Sequence, residues 1–229
     1  MAGKKWMLLL ALLVVGCVRC SPGTPATATW TREVSATPTA RVEEVPCAGV
    51  GRFQTGRAGS TEEEALRNQA LAVVCALRER RWADLTRMVH PERGLCFSPD
   101  AYLDQNDLCF SREDLPRLPK DPVRYRWGFE PGSGRPLDFT FVEYAARYVY
   151  DGPYWEKGRL GMDVRQGAGN IIDNHDQVFP DSRVVEFYLP GSEQYGGLDW
   201  RSLRLVFLPD PRAPGGWWLV ALVHDEWSP

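Results

Sequence analysis

The sequence predicts an α+β domain, in which helices from the first half of the chain pack on a curved, mainly antiparallel sheet built from the second half. Apolar residues recur at helical spacing between positions 60 and 90, strand-like runs gather after position 180, and no strand–helix–strand alternation links them. Helices followed by strands, without crossover units, is the order of an α+β layer fold rather than of a parallel sheet.

The helical half opens at Ser60-Thr61-Glu62-Glu63, where Ser60 and Glu63 are expected to form a capping box over the free amides of a helix start. Leu66, Ala70, Val73, Val74 and Leu77 then mark one buried helical face. A second helix is expected through Trp82, Leu85, Met88 and Val89, and it must stop before Pro91, because proline disfavours helical backbone at the preceding residue. Thr140 and Glu143 form another capping box, followed by the amphipathic set Tyr144, Ala145, Tyr148 and Val149 and closed by Gly152-Pro153. Residues 183–189, 201–208 and 217–227 read as strands. The last two flank a turn-rich loop at 209–216, which predicts antiparallel pairing. Residues 217–223 are apolar at both alternations, so this strand is expected in the middle of the sheet, covered on both faces.

Ahead of the domain, Lys4 and Lys5 precede an apolar stretch, residues 6–16, that is too short to cross a bilayer, which needs about 20 residues. The pattern predicts a signal peptide over residues 1–16. Its end, Val14-Val15-Gly16-Cys17, resembles the bacterial lipobox, and the resemblance implies cleavage before Cys17, a lipid on its sulfur and an acyl group on its new amino terminus. Two or more acyl chains anchor stably where one holds only marginally. The expected location is therefore outside the cytoplasm, on the outer face of the cell membrane or on an outer membrane, with the bilayer as partner through Cys17. Residues 17–59, rich in Thr, Ala and Pro without a sustained period, read as the lipidated cysteine and a flexible tether, leaving 60–229 as one globular domain of about 170 residues.

Loss of Lys4 and Lys5 with the signal makes the formal charge of −3 more negative, and no basic block occurs, so nothing marks a nucleic-acid partner. The six cysteines lie at 17, 20, 47, 75, 96 and 109. Spacing alone does not fix their pairing. Leu95-Cys96-Phe97 and Leu108-Cys109-Phe110 read as neighbouring strands, which favours a Cys96–Cys109 disulfide, whereas Cys75 in a helical pattern reads as a buried free thiol.

A leading helix, then Arg81-Trp82-Ala83-Asp84-Leu85 and Met88-Val89-His90-Pro91, then a strand-rich half, is similar to the opening of proteins with the nuclear transport factor 2-like fold, which implies a cone with an internal pocket. The stretch 60–229 also resembles a group of uncharacterised bacterial lipoproteins. That resemblance rests on His90-Pro91-Glu92-Arg93-Gly94, Phe97-Ser98-Pro99, Tyr125-Arg126-Trp127-Gly128, Gly169-Asn170, residues 200–207 and His224-Asp225-Glu226-Trp227. Neither resemblance supplies an activity, and the acid/base pair that enzymes of the cone fold place in their pocket has no counterpart in this sequence.

Three groups of residues carry possible chemistry. His90, His224 and Asp225, if they converged, would suit metal binding or acid/base work near neutral pH, while the plainer account gives His224 and Asp225 an architectural role, holding the last strand against the helix that finishes at His90. The loop at 167–176 gathers amides and carboxylates that suit a hard cation but lacks the spacing of an EF-hand, and reads as a plain loop. Aromatic residues concentrate at 125–155, and Tyr125, Trp127, Tyr144 and Tyr148, with His90, His224 and Asp225, are the expected lining of a ligand pocket. The expected function is a membrane-anchored, non-enzymatic module that binds a small ligand or a protein and needs no cofactor or metal. The alternatives are a small hydrolase, isomerase or metal-dependent enzyme using His90, His224 and Asp225, or a structural envelope component.

Overall fold

The computed structural model describes Cys47 and residues 61–228. The signal peptide, Cys17, Cys20, Ser60 and the tether apart from Cys47 lie outside the described residues.

The helices are α1 (Glu62–Arg78), α2 (Trp82–Leu85), α3 (Phe141–Tyr148), α4 (Tyr154–Lys157) and α5 (His175–Val178). The strands are β1 (Leu95–Ser98), β2 (Leu108–Phe110), β3 (Arg124–Phe129), β4 (Pro136–Thr140), β5 (Arg159–Met162), β6 (Arg183–Leu189), β7 (Arg201–Pro209) and β8 (Trp217–Glu226). Six strands form one sheet in the order β2-β1-β8-β7-β6-β5, and β3 and β4 form a separate hairpin. Every pairing is antiparallel except β1 with β8. The fold is therefore α+β with a mostly antiparallel sheet, and β8 is central as its two-sided apolar pattern predicts.

Local details depart from the sequence reading in two places. The first cap is Thr61 with Glu64, one residue beyond the Ser60–Glu63 pair expected: the Thr61 hydroxyl accepts from the Glu64 amide at 3.2 Å. A run of glutamates offers both registers, and sequence alone does not choose between them. The second helix ends at Leu85, short of Met88 and Val89, because those residues join the sheet instead: the Leu219 amide donates to the Met88 carbonyl at 2.8 Å and the His90 amide donates to the Leu219 carbonyl at 3.0 Å. The cap on α3, Thr140 with Glu143, stands as expected.

Alternation along β6 and β7 divides the core between the two sheet faces. Val185, Phe187, Leu203, Leu205 and Phe207 point to the inner face, where α1 and α3 supply Leu66, Ala70, Val73, Phe141 and Tyr144. Val184 and Val206 point outward with Val220, Ala221 and Val223, and are covered by Leu103 and Phe179. A register shift between Val206 and Phe207 places the consecutive Val220 and Ala221 on that one outer face, the local effect of a bulge.

Two disulfides occur among the described residues. Cys96 and Cys109 stand opposite each other in the β1–β2 register and are bonded, with 3.9 Å between their Cα atoms. Cys75 corrects the free-thiol expectation, since it is bonded to Cys47. The correction extends to the tether. Cys47 lies within 17–59, yet it is buried and covalently held to α1.

Candidate functional site

His90, His224 and Asp225 do not come together. His90 sits beside Leu219, five residues before His224 on β8, which separates their backbones by about 16 Å at the rise of an extended strand. The His90 Nδ1 accepts the amides of Glu92 and Arg93, each at 3.1 Å, so the ring organises the His90–Gly94 turn. Burial and the nearby Arg93 lower its pKa, as an imidazole that accepts two amides requires. Gly94 is obligatory there: it adopts φ of +69°, and a Cβ would lie 2.2 Å from the Phe110 carbonyl oxygen.

His224 and Asp225 point to opposite faces of β8. His224 turns inward, edge-on to Tyr148, with its Nε2 3.4 Å from Asp151, and its Nδ1 finds no hydrogen-bond partner among the described residues. Asp151 in turn accepts from the Tyr154 hydroxyl at 2.6 Å and from Arg201 at 2.9 Å. Burial alone raises a carboxyl, but His224, Tyr154 and Arg201 outweigh it and hold Asp151 at about 2. The partner of His224 is thus the loop after α3, not the His90 turn that the sequence reading expected.

Asp225 turns outward into an ionic layer between the sheet and the loop at 163–178. Arg165 grips it bidentately, at 2.7 and 2.9 Å, and also donates to the Ile171 carbonyl at 2.6 Å. Glu186, directly across from Arg204 in the β6–β7 register, accepts the Gln166 amide at 2.7 Å, and burial raises its pKa. Arg204 reaches Asp173, which also binds the His175 ring at 2.7 Å. The loop at 167–176 therefore has its Asp173 carboxylate satisfied by Arg204 and His175. Gly167 lets the loop lie flat, because a Cβ would sit 2.2 Å from the Trp200 ring.

Of the aromatic set, Tyr125 borders a cavity of about 690 Å³ with Phe110, Leu118 and Asp121, whereas Trp127, Tyr144 and Tyr148 are packed into the core. Trp127 stacks on Tyr144 with ring centroids 3.8 Å apart, Tyr144 stacks on Tyr148, and all three are buried. Tyr125 is half-buried and donates to Asp121 at 2.6 Å. Trp127, Tyr144 and Tyr148 fill the space between α3, β1 and the β3–β4 hairpin, so packing consumes those three of the rings that the sequence reading assigned to a ligand.

A cleft of about 670 Å³ instead lies at the rim, between the loop joining β1 to β2 and the end of the β3–β4 hairpin. Asp100, Asp104 and Asp107 line it together with Tyr102, Phe129 and Arg126. The loop is held in place from beneath: the buried Asn174 side chain accepts the Leu103 amide at 2.8 Å and donates to the Leu103 carbonyl at 3.0 Å. Arg126 is committed to a bidentate pair with Asp138. No ion pair joins Asp100, Asp104 or Asp107 to a cation among the described residues. Burial pushes Asp107 up to about 7, reinforced by repulsion from Asp100 and Asp104, and burial likewise raises Asp100. The Tyr144 hydroxyl, which is not part of the cleft's lining, is fully buried without a hydrogen-bond partner among the described residues, and burial raises its pKa.

Such a cleft has the volume range of a small-molecule site, carrying unpaired acids beside exposed aromatic surface. Comparison with protein-family models, with curated proteins and with solved structures found no match to this chain.

The aspartates were missed because each, in a polar loop between two strands, has the ordinary reading of a turn residue. A signal was present nonetheless: residues 100–107 hold three acids and no lysine or arginine. The sequence runs 97–99 and 125–128, noted above only for resemblance, meet in this cleft through Ser98, Pro99, Arg126 and Gly128.

Proposed function

We propose that this chain is an exported lipoprotein, anchored through Cys17, whose nuclear transport factor 2-like, cone-shaped domain binds a small ligand at the cone's rim. The observation that carries the reading is the cleft, where unpaired Asp100, Asp104 and Asp107 lie beside exposed Tyr102 and Phe129. Helices packed on one face of a mostly antiparallel sheet support the cone reading, with its interior filled by Trp127, Tyr144 and Tyr148. The disulfides Cys96–Cys109 and Cys47–Cys75 support an oxidising compartment. No helix among the described residues is long and apolar enough to cross a membrane. The enzyme alternative gains nothing from the separated His90, His224 and Asp225.

Two measurements test the proposal. Metabolic labelling with a radioactive fatty acid should mark the wild-type chain and not Cys17→Ser, and a labelled, cleaved Cys17→Ser product would overturn the anchor. Screening a fragment library by amide chemical shifts should place the hits at residues 98–107 and 126–131. Hits clustering elsewhere would remove the cleft as the binding site.

A further inference from the structure

We propose that Glu186 is a proton-operated latch: as a neutral acid it holds the loop at 163–178 shut over the outer face of the sheet, and as a carboxylate it releases that loop. This holds whatever the rim cleft binds.

The loop lies on the sheet as a strap fastened by polar ties. From position 163 to 173 none of its residues is buried, and Val164 and Ile172 are 58% and 70% exposed. Its fastenings are Arg165 on the Asp225 carboxylate, Asp173 on Arg204, and the Gln166 amide on Glu186, with the Gln166 side chain also donating to the Arg159 carbonyl at 3.0 Å. A segment with so little apolar burial opens at a free energy set by such ties.

Charge singles out Glu186 among them. It faces Arg204 and Ser202 on β7, Asp225 on β8, and Arg165 and Gln166 on the strap, with Asp173 and His175 beyond Arg204. On β5 its partner is Gly161, with the exposed Arg159 two residues away, and Asp163 and Arg183 pair with each other where the strap begins. Asp225 holds Arg165 and Asp173 holds Arg204, one acid to one guanidinium, and His175 adds a second partner to Asp173. Glu186 joins no ion pair among the described residues.

Its two oxygens are also unequal. Glu186 is completely buried; its Oε2 accepts the Gln166 amide at 2.7 Å, while its Oε1 has no hydrogen-bond partner among the described residues. The Arg204 Nε, on the residue directly across the register, is likewise unpartnered, so the two do not bond each other. A buried carboxylate without a counter-charge is costly, and taking up a proton removes the cost. On Oε1 that proton points among buried neighbours that include the unpartnered Ser202 oxygen, an acceptor for it. Burial outweighs the Gln166 amide, Ser202 and Arg204, which favour the anion, and raises the carboxyl above its ordinary 4.5. Lifting the strap takes Gln166 away and admits water, so the closed state binds the proton more tightly than the open one. Closure is therefore fully favoured below about pH 4.5 and weakens as the pH rises from there toward the raised value. The same strap contributes Ile171 to the wall of the cleft, so its release alters that wall.

Amide hydrogen exchange on the full chain in detergent tests the latch, with each rate divided by that of the unfolded sequence at the same pH so that only opening is read. From pH 5 to pH 8 the Gln166 amide should lose protection about tenfold or more. Glu186→Gln, neutral throughout and able to accept the same amide, should show equal protection at both pH values. His175→Asn, which removes the histidine from the layer, should leave the wild-type loss in place. Carbon NMR of the Glu186 carboxyl gives a reading that does not depend on any variant: it should ionise at a higher pH than glutamate in a free peptide. Equal protection of Gln166 at pH 5 and pH 8 in the wild-type chain would overturn the latch. So would a loss that persists in Glu186→Gln, one that vanishes in His175→Asn, or a Glu186 carboxyl that ionises no later than the peptide.

Discussion

The two faces of the sheet are buried by opposite means. The inner face is closed by rings and aliphatic side chains, from Trp127 stacked on Tyr144 to Phe207 and Leu222 against α1 and α3. Near its outer edge, the other face is closed by ions: Glu186, Arg204 and Asp225, all fully or almost fully buried, with Arg165 and Asp173 laid over them by the loop at 163–178. Apolar burial is favourable wherever it occurs, whereas buried charges persist only if each finds a partner. The inner face therefore rests on close packing, with the buried His224–Asp151 pair as its polar exception, while the outer face depends on one loop arriving in one geometry.

The comparison breaks most visibly at Trp127. Truncating Trp127 to Ala should cost about 3 to 5 kcal/mol in denaturant unfolding, the range for a buried large ring left as a cavity. A loss below about 1 kcal/mol would mean that the inner face is not held by its rings.

For the outer face the informative contrast is between one substitution and two. Arg165→Met alone leaves the Asp225 carboxylate buried and unpaired, and should cost about 3 kcal/mol. Adding Asp225→Leu should recover most of that loss, because replacing both charges by apolar groups removes the desolvation penalty with the pair. Equal stabilities for the single and double variants would show that the layer is not an interdependent ionic unit.

The β1–β2 pair offers a smaller effect. Replacing Cys96 and Cys109 together by Ala should cost about 2 kcal/mol, the lower end for so short a loop, and reduction of the wild-type chain, which also opens Cys47–Cys75, should cost more. Peptide mapping that finds both thiols free in the exported protein would cancel this prediction.

In pH dependence two carboxyls act with opposite sign. Asp151, held at about 2 against an ordinary 3.8, contributes stability above pH 4 that is lost as the pH falls toward 2. Asp107, raised to about 7, binds its proton more tightly folded than unfolded, so its ionisation erodes stability as the pH rises from about 4 to 7. Melting curves should therefore show Asp107→Asn stabilised relative to wild type at pH 8 and little changed at pH 4. A difference independent of pH would dissociate Asp107 from this balance.

What the sequence by itself determined was everything written in local periodicity. The cap at Thr140, the buried stripe of α1, the strands at 183–189 and 217–226 and the central place of β8 follow from spacings of 3.6 and 2 and from two-sided apolarity. The Cys96–Cys109 pairing was legible because both cysteines sit in matching three-residue apolar runs. Tertiary structure alone decided what each polar residue faces. Glu186 and Arg204 alternate with apolar neighbours as solvent-facing residues do, Asp225 lies in the polar run His224-Asp225-Glu226, and only the distant loop at 163–178 makes all three buried. It also decided that Tyr144 and Trp127 stack on each other and that the cleft gathers Asp100, Asp104 and Asp107 above them. A ring has the same apolar signature whether it lines a cavity or fills one, and a loop aspartate the same polar one whether it caps a turn or lines a cleft.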